Sequence, residues 1–251
     1  MGKITIKTKQ EIDSIIEGGK RLAQVKNSLF EAVKVGVSAW EIEQLAVALI
    51  KKSGAEASFS KVPKYHWATC ININEGVVHG IPKKEVVFKK GDVVSVDVGL
   101  YYKGFHTDTS FSKGLGVDAV VEKFLNVGKQ TLSNAIAAAL PGARIYDISQ
   151  RIETSLKEGG CNPVKALVGH GVGRQLHEDP LIPQFVYGKR EDSAEVKPGM
   201  VLAIEVIYTL GDGEIAHDKD GWTIVTRDGT ISALYEDSLV ITEKGHFVVT
   251  R

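Results

Sequence analysis

The strongest constraint on this chain is an acid set inside a run of β-branched residues, and that run occurs twice. Val93-Val94-Ser95-Val96-Asp97-Val98 reads as a strand, because β-branched side chains suit a pleated, half-buried surface. Phe105 to Phe111 returns as its partner, with Gly99 and Gly104 expected to bracket the turn. Asp97 and Asp108 then sit on adjacent strands of one hairpin. A carboxylate in such a run is costly to bury without a cation or a hydrogen-bonding partner. One acid alone would be at home on the solvent face of an edge strand. The second half of the chain weakens that reading. Residues 91–98 reappear as 199–206, with Glu205 in the slot of Asp97. Asp108-Thr109-Ser110-Phe111 is echoed by Glu236-Asp237-Ser238-Leu239, and Gly36, Trp40, Glu41 and Ile42 by Gly142, Tyr146, Asp147 and Ile148. Echoes in the same order imply a duplication and not a short-period solenoid. Each half presents two strand-borne acids.

Helix signals surround these strands. Thr8 and Glu11 form a capping box, as do Ser38 and Glu41. Behind the first lies a helical stripe from Ile12 to Phe30, interrupted by Gly18-Gly19. Behind the second, Ile42, Leu45, Ala46, Leu49 and Ile50 lead to a stop at Gly54. Further helices are expected over residues 117–140 and 146–157. Strands are expected at 69–73, 200–209, 215–216, 222–225 and 232–242, with a polar loop running from the Asp179-Pro180 turn to Pro198. No linker or low-complexity stretch divides the 251 residues. We therefore expect residues 1–251 to form one domain with two pseudo-symmetric halves. Its class is α+β, antiparallel sheet inside and helices outside.

Bulk composition excludes some partners. Basic and acidic residues each number 31, so nothing in the net charge points to a nucleic-acid or membrane partner. Cys70 and Cys161 are too few for a disulfide framework, which fits a reducing compartment. The start, Met1-Gly2-Lys3-Ile4-Thr5, has no apolar leader, and no window approaches a membrane span. A soluble, cytoplasmic protein is expected.

Asp97, Asp108, Glu205 and Glu236, with His170 from the glycine-rich segment 168–174, make an oxygen-rich set with one imidazole. Brought together, four carboxylates repel and protonate unless compensated. One divalent cation neutralises half of that charge and two neutralise all of it. We infer a dinuclear site, with carboxylates bridging metals about 3.5–4 Å apart. Hard oxygen ligands with one nitrogen favour Mn, Fe, Co or Zn. Two metals holding a water generate hydroxide near neutral pH, so the reaction class is metal-assisted hydrolysis. Glu205 is the first choice for shuttling a proton from that water to a leaving amine. His79 and His177 each flank a proline-containing turn, and either is placed to donate to the scissile amide or its oxyanion.

These residues, in this order and spacing, resemble the type I methionine aminopeptidases, which have the pita-bread fold. The resemblance includes Asn74-Glu75, Val78-His79-Gly80-Ile81-Pro82, Leu176-His177-Glu178 and Asp220-Gly221-Trp222-Thr223, and it runs from Thr8 to Thr250. It implies that Asp97 binds one metal bidentately, that Asp108 and Glu236 bridge, and that His170 and Glu205 hold the second metal. It implies that His79 and His177 contact substrate beside the cleaved bond. A methionine pocket would involve Tyr65, Cys70, His79 and Trp222, with Phe59 and Leu176 as walls. Sulfur packs well against ring edges, so an aromatic slot is reasonable. The implied activity is removal of the initiator methionine from nascent chains at the ribosome, with small second residues preferred, by a monomer. One departure stands out: Val62, Trp67 and Ala68 are not family-typical, which bears on pocket shape. Since Thr8 opens the first helix almost at once, no N-terminal extension for ribosome or zinc-finger contacts is expected. Two other readings were weighed. An X-Pro aminopeptidase of the same fold usually carries an extra N-terminal domain. A metal-free peptide-binding module has typically lost ligands that are all present here.

Overall fold

The computed structural model describes residues 4–251; Met1 to Lys3, part of the stretch read for a leader, lie outside the described residues. Alternation along each strand builds the architecture. In the Asp97 strand (Val93–Tyr102), Val94, Val96, Val98 and Leu100 are fully buried in one apolar cluster. Ser95, Asp97 and Gly99 therefore face the other side, since successive side chains point to opposite faces. The Glu205 strand (Val201–Thr209) repeats the pattern, with Leu202, Ile204, Val206 and Tyr208 on the apolar side. The valine run thus hides an alternation: one face is core and the other carries the acids.

Four helices cover the apolar face. Helices α1 (Lys9–Ala32) and α2 (Ala39–Lys52) pack on the Asp97 strand, while α3 (Ala119–Ala138) and α4 (Ile145–Glu158) pack on the Glu205 strand. Both predicted capping boxes form. The Thr8 and Ser38 hydroxyls accept from the Glu11 and Glu41 amides, and those glutamates accept from the cap amides in return. Helices α2 and α4 occupy equivalent places. Each has 14 residues, and each follows a glycine in the left-handed region, Gly36 and Gly142. An isolated bridge ties down each start, Ser38 to Val87 and Arg144 to Glu195. Among the described residues no helix is long and apolar enough to cross a membrane.

The sheet runs in the order Asp97 strand, Asp108 strand (Phe105–Gly114), Glu236 strand (Ser232–Thr242), Glu205 strand, His170 strand (Val168–Gly171) and Glu178–Pro183, all antiparallel. Thr69–Ile73 pairs with the other side of the Asp97 strand. The order of the four acid-bearing strands reads the same from either end, as the duplication requires. The two halves meet along a narrow seam. Within each half the ladder is long, from Val93–Gly114 to Tyr102–Phe105 and from Ser232–Thr209 to Val240–Val201. Between halves it consists of Glu236–Ser110 and Asp237–Thr109. Hydroxyls extend it. Ser238 Oγ accepts from the Asp108 amide at 3.0 Å and donates to the Asp108 carbonyl at 2.7 Å. Thr109 Oγ1 donates to the Glu236 carbonyl at 2.7 Å, and Ser112 Oγ donates to the Leu234 carbonyl at 2.9 Å.

Several local expectations are corrected. Gly18 and Gly19 do not interrupt α1. A Cβ on Gly19 would lie 2.6 Å from Val249, so the glycine admits the C-terminal segment. Gly99 lies inside a strand and not in a turn, opposite Asp108, because Ser58 and Phe59 press against it. The turn is Lys103-Gly104, with both residues at positive φ. The expected polar loop after Asp179-Pro180 contains strand Glu178–Pro183. Trp222 precedes its strand, which begins at Ile224, and is held in a turn by the Asp220 carboxylate.

Candidate metal centre

Strand register gathers the candidate ligands into two neighbouring rungs. One rung crosses four inter-strand pairings: Cys70 opposite Asp97, Asp97 opposite Ser110, Ser110 opposite Glu236, and Glu236 opposite Glu205. Directly opposed residues share a face, so these side chains project together. The next rung carries Asp108, which is opposed by Gly99, and His170, which is opposed by Ala203. Ligand atoms of Asp108, His170 and Glu236 lie within 4.8 Å of one another, and all three residues are buried. His170 Nε2 is 3.3 Å from Glu205 Oε1. Asp97 and Glu205 are half-buried, although Asp97 Oδ1 itself is out of contact with solvent.

The electrostatics are those of crowded carboxyls, relieved only in part by hydrogen bonds such as that from the Thr109 amide to Asp108 Oδ1 at 3.0 Å. Burial raises the Asp97 carboxyl to about 7. Asp108 is pushed well above the usual carboxylate range by burial, then by the charges of Asp97 and Glu205. Glu205 is raised by burial and then by Asp97. Glu236 is raised by burial, then by Asp108, Glu205, Asp97 and Asp237. No arginine or lysine stands among the causes for any of the four. His170 is lowered to about 3 by burial, then by His177. Its Nδ1 bonds the Gly171 carbonyl at 2.9 Å, which commits the ring hydrogen there and leaves Nε2 with a lone pair toward the acids. Asp97 Oδ1 and Glu236 Oε1 have no hydrogen-bond donor although both are buried. Hard oxygens, one free imidazole nitrogen and orphaned carboxylate atoms fit a divalent cation.

The other predicted residues ring this centre. His177 packs edge-on against His170, with ring centroids 4.5 Å apart. His79 holds a left-handed backbone with φ near 60°, rare for a non-glycine and a mark of functional turns. Both histidines open to solvent on one side, yet the protein around them lowers both, and His79 also feels His177 and His217. Phe59, Tyr65, Cys70 and Leu176 form a buried apolar cluster, with Val62, Trp67 and Trp222 packed against it. The Tyr65 ring meets Trp222 at 5.1 Å and Trp67 at 5.2 Å, both edge-to-face. Its hydroxyl donates to the Thr69 carbonyl at 2.8 Å. Cys70 opens the acid rung, so this cluster borders the metal centre directly.

Three supporting features were not anticipated. Glu43 is buried and accepts from the Ala68 amide, the Thr69 amide and the Thr69 hydroxyl, which anchors the atypical loop. Its position on the apolar stripe with Ile42, Ala46 and Ile50 was the available signal. Lys7 and Glu178 form a buried ion pair at 2.6 Å, with side chains 1% and 7% exposed. Nothing local announces it. His106 shares the acid face two residues before Asp108, with Nδ1 2.9 Å from the Ser58 hydroxyl, and alternation alone would have placed it.

Comparison with known proteins follows this geometry. The sequence profile of metallopeptidase family M24 matches residues 13–243. A methionine aminopeptidase from Aquifex aeolicus is 38% identical over 254 residues, covering 98% of each chain. The crystal structure of methionine aminopeptidase from Thermotoga maritima superposes with a TM-score of 0.96 at 38% identity, covering 99% of this chain and 100% of that one. Prolidase from Pyrococcus furiosus shares the fold, with a TM-score of 0.77 at 23% identity, and this chain covers 65% of it. The architecture is the pita-bread fold, and this chain belongs to metallopeptidase family M24.

Proposed function

We propose that the protein is a metal-dependent aminopeptidase that removes methionine from the N-terminus of peptides and nascent proteins. The observation that carries the reading is the pair of rungs that brings acids from both halves onto one imidazole, beside an aromatic slot. In this reading Asp97 would hold one of two divalent ions, His170 and Glu205 the other, and Asp108 and Glu236 would serve both. Such ions supply Lewis acidity and an activated water. Glu205 would accept a proton from the water and return it to the leaving amine. His79 and His177, kept neutral by their surroundings, donate N–H groups to the scissile amide. Tyr65, Cys70, Trp222 and Phe59 receive the thioether side chain. The two halves act as one catalytic domain, in a cytoplasmic monomer working at the ribosome.

Hydrolysis of Met-Ala and Met-Lys peptides with added Mn or Co tests the proposal. Cleavage of the first well above the second is expected. Inactivity on both refutes it, and turnover of Xaa-Pro substrates instead would assign a proline-directed peptidase.

A further inference from the structure

Three of the buried polar atoms that lack a hydrogen-bond partner lie side by side on one rung: Asp97 Oδ1, Ser110 Oγ and Glu236 Oε1. Two are oxygens of candidate ligands and are accounted for by a cation. Ser110 is not among those candidates. It is 3% exposed, and its strand partners are Asp97 on one side and Glu236 on the other. Its hydroxyl therefore projects between two carboxyls that belong to different halves of the chain. The neighbouring hydroxyls of the same strand all have backbone acceptors. Thr107 donates to the Leu100 carbonyl, Thr109 to the Glu236 carbonyl and Ser112 to the Leu234 carbonyl. Ser110 alone is left facing the acids.

We propose that Ser110 is a positioning residue of the metal centre. In the structure none of these three atoms has a hydrogen-bond partner; with a metal bound, the Ser110 hydroxyl would donate to a free lone pair on Asp97 Oδ1 or Glu236 Oε1. It thereby keeps the two halves' carboxyls at the spacing that binding requires. Outer hydrogen bonds of this kind orient metal ligands and raise their affinity. The inference rests on the metal-site reading above.

The test compares wild type with Ser110→Ala by Mn titration calorimetry at pH 7.5, by the visible spectrum of the Co-loaded protein, and by melting of the metal-free protein. Ser110→Ala should weaken Mn binding about tenfold and shift the Co bands. Its metal-free melting temperature should be unchanged or higher, because a buried hydroxyl without a partner has been removed. Ser110→Thr, which keeps the hydroxyl, should recover part of the affinity. Wild-type affinity in Ser110→Ala overturns the inference. So does a fall in metal-free melting temperature alongside the affinity, which would mark a purely structural role. A wild-type protein that binds no Mn overturns the metal-site reading itself, and Ser110 with it.

Discussion

His170 Nε2 faces Glu205 Oε1 across 3.3 Å, and the two are not an ion pair. Burial holds the imidazole near 3 and raises the carboxyl, so at neutral pH both are driven toward their uncharged forms. A base and an acid on neighbouring strands, each denied its charge, are two ligands set for a cation.

Stability of the metal-free protein should therefore fall as pH rises from 6.5 to 8. The acids of the centre are raised above their unfolded values, so their stabilising contribution is complete below about pH 4. It is lost as pH climbs through the folded values, about 7 for Asp97, with Asp108, Glu205 and Glu236 raised in the same direction. His106, lowered to about 4, and His170, lowered to about 3, act with the opposite sign, but only below about 6.5. The melting temperature should drop roughly 3–6 °C per pH unit for each group in transit. Saturating Mn should cancel or reverse the slope, since binding requires deprotonated acids. A metal-free melting temperature that rises over this window would contradict the crowding of these acids.

Asp108→Asn and Glu236→Gln should each reduce turnover below about a tenth of wild type, because each changes an oxygen shared by both ions in the proposed site. Metal content measured beside activity checks the cause. Retained activity at normal metal content would remove either residue from the bridging position.

The features legible in the sequence were those written in local periodicity. The β-branched run placed the first acid strand, its repeat at 199–206 the second, and S/T-x-x-E both helix starts; the duplication read from that repeat is matched by the palindromic sheet. What escaped depends on partners distant in the chain. Gly99 reads as a turn residue until Ser58 and Phe59 are seen against it. Glu178–Pro183 reads as a loop because its two prolines and two acids, which an edge strand tolerates, do not advertise a strand. The hydroxyls of Thr109, Ser112 and Ser238 look like surface polarity, yet they join the halves. Lys7 and Glu178 are 171 residues apart, and no pattern in one predicts the other.

His177→Ala should lower turnover by 10²-fold or more, by order of magnitude for a lost donor at the reacting bond, while metal content stays normal. The ring packs edge-on against His170, with centroids 4.5 Å apart. Loss of metal in this variant would make His177 a ligand.

Lys7→Met should destabilise the protein by about 3–5 kcal/mol, because it strands the buried Glu178 carboxylate. Glu178 also accepts from the Gln175 amide at 2.9 Å and directly follows His177, so turnover should fall in the folded fraction as well. Lys7→Met with Glu178→Gln should recover much of the loss in a denaturant melt. An equal effect of Glu178→Gln alone and in the Lys7→Met background would show that the pair carries no coupling.

The narrow seam between the halves has a mechanical consequence. Each half has a long ladder of its own, and the two ladders pair over a short stretch at Ser110 and Glu236. Asp97 and Asp108 stand on one half; His170, Glu205 and Glu236 stand on the other. An ion held by both sets would act as a clasp across that seam, so its affinity would depend on the spacing of the two central strands.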